Sequence, residues 1–248
     1  MILKKIKQVI NEFRERSDNL KASGEIIQNQ NAELLWANIY HDTIRDRKWL
    51  QDISLSPGRW AVNYSFLYFL TRILIDCKPN KIIEFGLGES SKIISSFLQN
   101  ELNNSTHLIV EQSIDWIDSF SSRFQLSKNS NILYLELEKQ IINGFSVNTY
   151  KNINEKINDT FDLYVVDGPL GSDRYSRYDI ISLAERLDPK NEFIIIMDDY
   201  NRQGEQDTTA DLIALLNKKG ILTFNGRYAG NKAQKIIVTQ KYKYVITM

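Results

Sequence analysis

The segment KIIEFGLGESSKIISSF, Lys81 to Phe97, decides the fold of this chain. An apolar run ends at Glu84, and Gly86 and Gly88 follow in a short polar stretch. After this stretch the apolar residues recur at helical spacing. Glycine lets the backbone bend sharply and approach a ligand closely. The segment therefore predicts a strand, a tight turn and a helix whose first N–H groups face a binding crevice.

The same alternation of strand and helix continues along the chain. Later predicted strands are HLIVE (107–111), NILYLEL (131–137), FDLYVVDG (161–168), EFIIIMDD (192–199), ILTFN (221–225), KIIVTQ (235–240) and YVIT (244–247). Strands that alternate with helices predict an α/β fold, here a Rossmann-like, doubly wound, mostly parallel seven-stranded sheet. The last strands have no helix between them, which predicts an antiparallel edge.

An N-terminal helical extension, residues 1–59, precedes the predicted α/β domain, residues 60–248. Its first fifty residues are rich in charges and helix formers and predict two or three helices, and Pro57-Gly58 breaks the pattern. One side of the first helix carries Ile2, Ile6, Ile10 and Phe13. This side predicts packing on the body or on a second subunit in a homodimer. Attachment to a membrane surface is less favoured, because acidic residues dilute the basic face.

The composition excludes several classes of protein. Lys+Arg and Asp+Glu both number 31, so no global positive field favours nucleic acid as a partner. The single Cys77 can form neither an internal disulfide nor a cysteine-based zinc cluster. No apolar run is long enough to span a bilayer, and the N-terminus lacks the apolar core of a signal peptide. We therefore expect a cytoplasmic protein without a transmembrane segment.

Carboxylates stand at the ends of the predicted parallel strands, where α/β sheets bind their ligands. They are Glu84, Glu111, Asp167, Asp198 and Asp199. Solvated surface acids would have no reason to collect at one edge of a sheet. The pattern therefore predicts a functional site at this edge.

The glycine turn indicates which ligand binds beside it. Ser91 stands where a dinucleotide fingerprint has its third glycine, which argues against a pyrophosphate, and Ser90 or Ser91 can cap the following helix. Glu84 would repel a pyrophosphate but attract an ammonium group. Glu111 ends the next strand, where a carboxylate accepts hydrogen bonds from ribose hydroxyls. A ligand with a ribose and an ammonium but no phosphate is S-adenosylmethionine.

The same residues resemble a known family. EFGLGESS is similar to the first motif of the class I (Rossmann-like) methyltransferases, and HLIVE is similar to their acidic second strand. The resemblance implies an S-adenosylmethionine-dependent enzyme. The implied cofactor-binding residues are Glu84, Gly86, Gly88, Ser90, Ser91, Glu111 and Asp167.

Methyl transfer to a hydroxyl needs a base, or a cation that lowers the pKa of the hydroxyl. Asp167, Asp198 and Asp199 offer hard oxygen ligands for Mg²⁺ or Mn²⁺. They resemble the metal ligands of catechol-type O-methyltransferases, with Asp199 in the place of an asparagine. Asp167 is our first candidate for the base or a metal ligand. Because neighbours on a strand face opposite sides, the sequence leaves open whether Asp198 or Asp199 points inward.

Two loops show a closer resemblance to the glucuronoxylan 4-O-methyltransferase family. VDGPLG with Ser176-Arg177, and DYNRQGE from Asp199 to Glu205, are similar to its two loop motifs. Asp198 stands where that family has histidine, Asn201 replaces an aspartate and Ser176 replaces a glycine. The resemblance implies a sugar hydroxyl in an acidic polysaccharide or its precursor as the acceptor.

The resemblance also implies roles for the loop residues. Asp167, Asp199 and Arg202 are the implied catalytic residues, and the implied acceptor-binding residues are Tyr175, Arg177, Arg202 and Glu205. The alternative for both arginines is a salt bridge that stabilises the loops. His41 is a weaker candidate for a lid, and Trp60, Tyr64 and Trp116 are weaker candidates for stacking on the ligand.

Three other functions stay open at this point. A small-molecule or phenolic O-methyltransferase would share the cofactor site. An NAD-dependent oxidoreductase would share the sheet, although Glu84 and Ser91 argue against it. A non-catalytic scaffold in polysaccharide assembly would tolerate the loss of Asp167.

Overall fold

The computed structural model describes the backbone of residues 2–58 and 61–248, and the side chains from residue 10 onward in these ranges. The strands in this part of the chain are β1 (Lys81–Phe85), β2 (Thr106–Glu111), β3 (Ser130–Tyr134), β4 (Leu137–Ile142), β5 (Phe145–Tyr150), β6 (Leu163–Val166), β7 (Ile194–Met197), β8 (Phe224–Ala229) and β9 (Ala233–Val238). The α-helices are α1 (Ile2–Thr43), α2 (Lys48–Gln51), α3 (Tyr64–Asp76), α4 (Glu89–Asn100), α5 (Ile114–Ser121), α6 (Ile153–Lys156), α7 (Asp179–Ala184) and α8 (Gln203–Lys218).

The main sheet has seven strands in the order β3-β2-β1-β6-β7-β9-β8. The pairs from β3 to β7 are parallel, while β9 runs antiparallel to both β7 and β8. The predicted α/β sheet with an antiparallel edge is therefore confirmed. Strand order changes direction between β1 and β6, and this is the point at which such sheets bind ligands.

Helices cover both faces of the sheet. Ile82 of β1 packs with α3, α4 and the end of α1, whereas Ile83 packs with α7 and α8 on the other face. The central strands β1 and β6 are buried on both faces, so they read as continuous apolar runs rather than alternating ones. The two cores fix the strand ends, and thereby the position of the residues that follow them.

The N-terminal extension forms two helices in the described residues, α1 of 42 residues and the short α2, which agrees with the two or three helices predicted. No proline interrupts α1, and a single internal glycine costs only about 1 kcal/mol. Its last turns join the main core through Trp36 and Tyr40, and Ile44, directly after the helix, joins the same core. Glu33 accepts hydrogen bonds from Asn63 Nδ2 (2.8 Å) and from the backbone N–H of Asn231 (2.8 Å).

The earlier part of α1 carries exposed apolar side chains. Those in the described range include Ile10, Phe13, Leu20, Ile27 and Leu34. The side chains of Ile2 and Ile6 lie outside the described residues. Throughout residues 2–58 and 61–248, each helix is too short or too polar to cross a bilayer. The boundary between residues 59 and 60 stays a prediction.

Three predicted strands differ from the structure. ILTFN (221–225) shares only Phe224 and Asn225 with β8, which begins at Phe224 and continues to Ala229. YVIT lies in a 3-10 helix, Gln240–Thr247, whose buried residues Tyr242 and Val245 are three positions apart. The segment is kinked at Tyr242, and the burial of Tyr242 and Val245 overrides the β-branched pattern. NILYLEL divides at its end, because β3 stops at Tyr134 and Leu137 begins the separate β4–β5 hairpin.

Candidate active site

A cavity of about 570 Å³ lies beyond the carboxyl ends of β1, β2 and β6. It extends from the glycine turn after β1 to the loops after β6 and β7. Residues on its wall include Gly86, Gly88, Glu111, Trp116, Asp167, Arg177, Asp199 and Arg202. The sequence predicts a site at this edge of the sheet, and the structure brings most of the predicted residues to one cavity.

The glycine turn forms the floor of the cavity. Gly86 has φ +94°, a left-handed conformation that other residues adopt only with strain, and a Cβ there would lie 3.4 Å from the carbonyl of Asp167. A Cβ on Gly88 would meet no atom within 4 Å, so the space above this residue is open. The Ser91 hydroxyl accepts a hydrogen bond from Gly88 N (3.0 Å) and thus caps α4. The turn leaves room for a ligand against its backbone.

Glu84 does not line the cavity, contrary to the expected contact with a ligand ammonium. Its side chain is 0% exposed. Glu84 Oε2 accepts a hydrogen bond from Ser91 Oγ (2.6 Å) and lies 3.1 Å from His107 Nε2. Because side chains alternate along β1, Glu84 points toward α4 like Ile82, not toward the end of the strand. The buried Ser90 and Ser91 likewise stay behind the cavity wall.

Glu111 lines the cavity and is held by backbone N–H groups. Its Oε2 accepts a hydrogen bond from Leu87 N (3.0 Å), and its Oε1 accepts from Gln112 N (2.8 Å) and Ser113 N (2.9 Å). The local chain bends around the carboxylate, which fixes its position. Hydrogen bonds to a charged carboxylate are the stronger kind, and its oxygens can still accept from ligand hydroxyls.

Trp116 stands beside Glu111 on the cavity wall. Its Nε1 donates a hydrogen bond to Leu87 O (2.6 Å), and the Arg123 guanidinium lies 5.4 Å from its ring centroid. The indole is thus held at an angle set by the glycine turn. His41 and Tyr64 instead line a separate cavity of about 350 Å³. Trp60 lies outside the described residues.

Oxygen atoms of Asp167, Asp198 and Asp199 all lie within 4.8 Å of one another. Asp199 has φ 54°, a left-handed conformation that is uncommon for a residue other than glycine. This conformation breaks the alternation beyond β7, so both neighbouring acids join the same cluster. Asp198 is fully buried and Asp199 reaches the cavity wall. The sequence leaves open which of Asp198 and Asp199 points inward. In the structure both belong to the cluster, and Asp199 is the one on the cavity wall.

Arg177 ties together the ends of β6 and β7. Its Nη1 donates hydrogen bonds to Val166 O (3.2 Å) and Asp198 O (3.0 Å). Its Nη2 lies 2.6 Å from Asp199 Oδ2 and 3.1 Å from Asp167 Oδ1. Its terminal nitrogens therefore already have protein partners, which differs from the expected clamp on an acceptor carboxylate. The alternative, a salt bridge within the loops, matches this geometry.

Arg202 keeps donors available at the cavity. Its side chain is 46% exposed and its Nη1 lies 3.1 Å from Asp199 Oδ2. Glu205 is fully buried behind it, 3.6 Å from Arg177 Nε, so it cannot touch an acceptor in this arrangement. Tyr175 stays outside the cavity wall, in an aromatic cluster with Phe145 and Tyr178. Of the expected acceptor-binding residues, Arg202 and Arg177 reach the cavity.

Lys232 and Gln234 also belong to the cluster, and sequence reasoning missed both. Lys232 Nζ lies 3.5 Å from Asp198 Oδ2 and 3.3 Å from Asp199 Oδ1. Gln234 Nε2 donates a hydrogen bond to Asp198 Oδ1 (2.8 Å). Lys232 lies in the turn before β9, where a lysine reads as an ordinary surface residue. No signal in the sequence could have found these contacts, since they depend on how β9 pairs with β7.

The charges shift one another's protonation. Burial, together with the nearby Asp198, raises the pKa of Asp167 well above its usual value. Burial would also raise the pKa of Asp199, but Arg177 and Lys232 lower it overall. For Lys232, burial favours the neutral amine, yet the surrounding carboxylates raise its pKa. The cluster therefore holds a charged Lys232 and Asp199 beside an Asp167 that takes up a proton more easily than usual.

A divalent cation does not fit this donor set as it stands. The buried oxygens Asp198 Oδ2 and Asp199 Oδ1 have no hydrogen-bond partner, which by itself would suit a cation. Both oxygens, however, face Lys232 Nζ, and Arg177 takes the other side of Asp199 and one oxygen of Asp167. A metal ion would have to displace the ammonium group. The cationic side chains of Arg177 and Lys232 thus already neutralise the acids of the predicted metal site.

Comparison with known proteins identifies solved structures that have a similar fold. No protein-family model matches the chain, and no curated protein matches its sequence. Cofactor-bound Rv0187 from MTB has a similar structure, with 10% identity, a TM-score of 0.51, and coverage of 85% of this chain and 90% of that one. The O-methyltransferase TomG from Streptomyces achromogenes, solved with SAM, gives 11% identity, a TM-score of 0.50, and coverage of 82% and 88%. The chain has the Rossmann-like methyltransferase fold.

Proposed function

We propose that this chain is an S-adenosylmethionine-dependent O-methyltransferase. One observation carries the proposal: a single cavity joins the open glycine turn and Glu111 at one end to Asp167 at the other. The first end suits a nucleoside with an amino-acid tail, and the second end suits a hydroxyl that must lose its proton. The methyltransferase fold and the SAM bound in TomG support this reading.

The residues that would hold the cofactor follow from the wall of the cavity. Glu111 would accept hydrogen bonds from the ribose hydroxyls, Gly86 and Gly88 would let the ligand approach the backbone, and Trp116 would stack on the base. The open space above Gly88 is the feature that fits a bound ligand. When bound, S-adenosylmethionine supplies an electrophilic methyl group. Glu84 would act only indirectly, by fixing Ser91 and the helix start.

Asp167 would accept the proton of the acceptor hydroxyl. A general base works best when its pKa approaches the working pH, and burial raises the pKa of Asp167 in that direction. Arg177 holds the carboxylate at 3.1 Å and keeps it aimed into the cavity. Asp199 and the half-exposed Arg202 border the place where the acceptor would bind.

For the acceptor we propose a sugar hydroxyl in an acidic polysaccharide or its precursor. The resemblance of VDGPLG and DYNRQGE to the glucuronoxylan 4-O-methyltransferase motifs supports this substrate class. Arg202 supports it independently, since a partly exposed guanidinium at the cavity can bind a sugar carboxylate through two hydrogen bonds. A cytoplasmic location and a homodimer through the N-terminal helix stay predictions.

Calorimetric titration with S-adenosylhomocysteine tests the cofactor. Wild type and Asp167→Asn should both bind, while only wild type should transfer methyl groups to an acidic glycan acceptor. Loss of a general base typically slows a reaction about 10²- to 10⁴-fold. Asp115→Asn, which changes an exposed acid in the first turn of α5, is the matched control and should keep full activity.

The opposite results are equally clear. Absence of S-adenosylhomocysteine binding to folded wild type, with NAD binding in a parallel titration, would replace the proposal by an oxidoreductase. Binding of the cofactor with undiminished activity of Asp167→Asn would remove Asp167 from the chemistry. Activity on phenolic acceptors alone would overturn the sugar assignment but keep the enzyme class.

A further inference from the structure

Lys232 lies against Asp198 and Asp199, two of the three acids whose oxygens are close enough together to hold a cation. The turn between β8 and β9 carries this residue to the cluster, and its side chain is only 11% exposed. Its Nζ approaches Asp198 Oδ2 and Asp199 Oδ1, the two buried oxygens of the cluster that have no hydrogen-bond partner. The ammonium group and the orphaned oxygens therefore face one another.

We propose that Lys232 is the built-in cation of this site: its ammonium replaces a divalent metal between Asp198 and Asp199, and the site works without a metal ion. The catalytic part of this statement rests on the proposed methyl transfer. The metal-binding part does not, because it concerns only the folded protein and an ion.

The surroundings of Lys232 are built to keep it in place. Asp198 is fully buried, and its other oxygen accepts a hydrogen bond from Gln234. Gln234 in turn donates to Asn63 Oδ1 (2.8 Å) and accepts from Ser65 Oγ (2.6 Å). A buried carboxylate oxygen without a hydrogen-bond partner costs stability, and the ammonium of Lys232, 3.5 Å away, is the cation that faces Asp198 Oδ2. The hydrogen bonds of Gln234, Asn63 and Ser65 occupy the other side of Asp198, so the side that faces Lys232 is the one available to a cation.

The remaining oxygens show why a metal would not simply join the lysine. Asp199 Oδ2 lies 2.6 Å from Arg177 and 3.1 Å from Arg202, and Asp167 Oδ1 lies 3.1 Å from Arg177. Mg²⁺ demands about six oxygen ligands at about 2.0–2.1 Å. The arginines thus hold the far oxygens, while an ion bound to Asp198 Oδ2 and Asp199 Oδ1 would lie against the Lys232 ammonium, and like charges repel.

Lys232 is therefore a positioning residue that acts through Asp198 and Asp199. It neutralises the acids so that Asp199 keeps its left-handed backbone beside the cavity. Removing the ammonium should leave an acidic pocket of the kind that binds divalent cations. The loss of one protein cation should thus create the metal site that the sequence resemblance implies.

Calorimetric titration with MnCl₂ alone tests this directly. Wild type should show no stoichiometric binding. Lys232→Gln should bind one Mn²⁺, and Lys232→Gln combined with Asp198→Asn should bind it about tenfold or more weakly, the usual cost of disturbing a metal site. Lys235→Ala, which removes a lysine that contacts Asn225 and the Tyr200 ring instead, is the matched control and should behave like wild type.

Two results would overturn the inference. One is stoichiometric Mn²⁺ binding by wild type that disappears in Asp198→Asn. The other is a folded Lys232→Gln variant, checked by circular dichroism, that binds no Mn²⁺. If Lys232→Gln fails to fold, the wild-type titration and Lys232→Arg decide, since the arginine keeps the charge and should bind no metal.

The activity assay gives a separate readout. Methyl transfer by wild type should be unchanged by EDTA, and Lys232→Arg should retain more activity than Lys232→Gln. Failure of the methyltransferase proposal would show as absent S-adenosylhomocysteine binding, whereas failure of the present inference would show as a metal bound to wild type. The two failures are thus distinguishable.

Discussion

The two halves of the sheet edge bury carboxylates in different ways. Beside β1 and β2, Glu84 is held by a serine and a histidine, and Glu111 by backbone N–H groups. Beside β6 and β7, the aspartates are held by Arg177 and Lys232. The first half uses a serine, a histidine and backbone N–H groups, and the second uses the permanently charged side chains of an arginine and a lysine.

Under the proposed function, this difference separates the half that would bind the cofactor from the half that holds Asp167. Backbone N–H groups hold Glu111 in place, and its oxygens can still accept hydrogen bonds from a ligand. Charged partners instead set the protonation of their neighbours, as they do at Asp167 and Asp199. The comparison predicts that changes in the second half should cost more stability, since a buried charge that loses its ionic partner is the more expensive case.

Removal of Arg177 should give the largest effect. Arg177→Ala leaves Asp167, Asp199 and Glu205 without their shared cation and should lower the free energy of unfolding by about 3–5 kcal/mol. Urea denaturation measures this loss. Arg174→Ala, which breaks a more exposed pair with Asp207, is the control and should lower the free energy of unfolding far less. Equal losses in the two variants would contradict the comparison.

Asp179 extends the comparison to a buried carboxylate with no cation. Tyr150 N donates to its Oδ1 (2.8 Å), its Oδ2 has no partner, and burial raises its pKa from 3.8 to about 7. Since the folded state holds a proton that the unfolded state loses above its pKa of 3.8, the contribution of Asp179 to stability should be most favourable in acid and should fall as the pH rises toward 7.

At about 1.4 kcal/mol for each pKa unit, the contribution of Asp179 reaches at most about 4 kcal/mol. Asp179→Asn should remove this part of the pH dependence. Thermal melting between pH 4 and pH 7 measures it, with Asp188→Asn, an exposed loop acid, as the control. Identical slopes in wild type and Asp179→Asn would show that Asp179 titrates normally.

Glu111→Gln should weaken the first half of the edge moderately. The variant keeps the shape but loses the charge that strengthens the hydrogen bonds from Leu87, Gln112 and Ser113. A hydrogen bond to a charged group contributes about 1.5–3 kcal/mol, so S-adenosylhomocysteine should bind roughly 10- to 100-fold more weakly. Calorimetry measures this, and the exposed Glu136→Gln serves as control. Unchanged affinity would remove Glu111 from the ribose site.

Trp116→Phe should give the smallest effect. It keeps an aromatic ring on the cavity wall but removes the Nε1–H bond to Leu87 O. A neutral hydrogen bond contributes about 1 kcal/mol, so the affinity for S-adenosylhomocysteine should fall less than tenfold. Trp49→Phe, far from the cavity against Phe97, is the control. A loss as large as that of Glu111→Gln would mean that the indole N–H organises the whole turn.

The first half of the edge could largely be predicted from the sequence. Gly86, Gly88 and Glu111 reach the cavity as expected, because their contacts form within one turn or with the next strand. Glu84 is the exception, because the alternation of side chains along β1 puts it on the face of Ile82, buried against Ser91. Contacts within one turn or between adjacent strands can therefore be predicted largely from the sequence pattern.

The second half could be predicted only as a set of acids. The left-handed backbone of Asp199 and the ammonium of Lys232 both depend on tertiary contacts. No propensity or spacing indicates that a turn lysine will reach a buried aspartate. The same reason explains why YVIT is not the predicted strand. The segment packs against β8 and β9, and this tertiary contact decides its conformation.

The long first helix also has a part in the site. Glu33 accepts hydrogen bonds from the start of α3 and from Asn231, the neighbour of Lys232. Trp36 donates to Ala229 O at the other end of the same turn. A protease that trims the chain before Glu33 would leave these anchors intact, whereas one that cuts after Trp36 would free the turn. A shortened chain that keeps the turn before β9 in place therefore has to begin within α1, before Glu33.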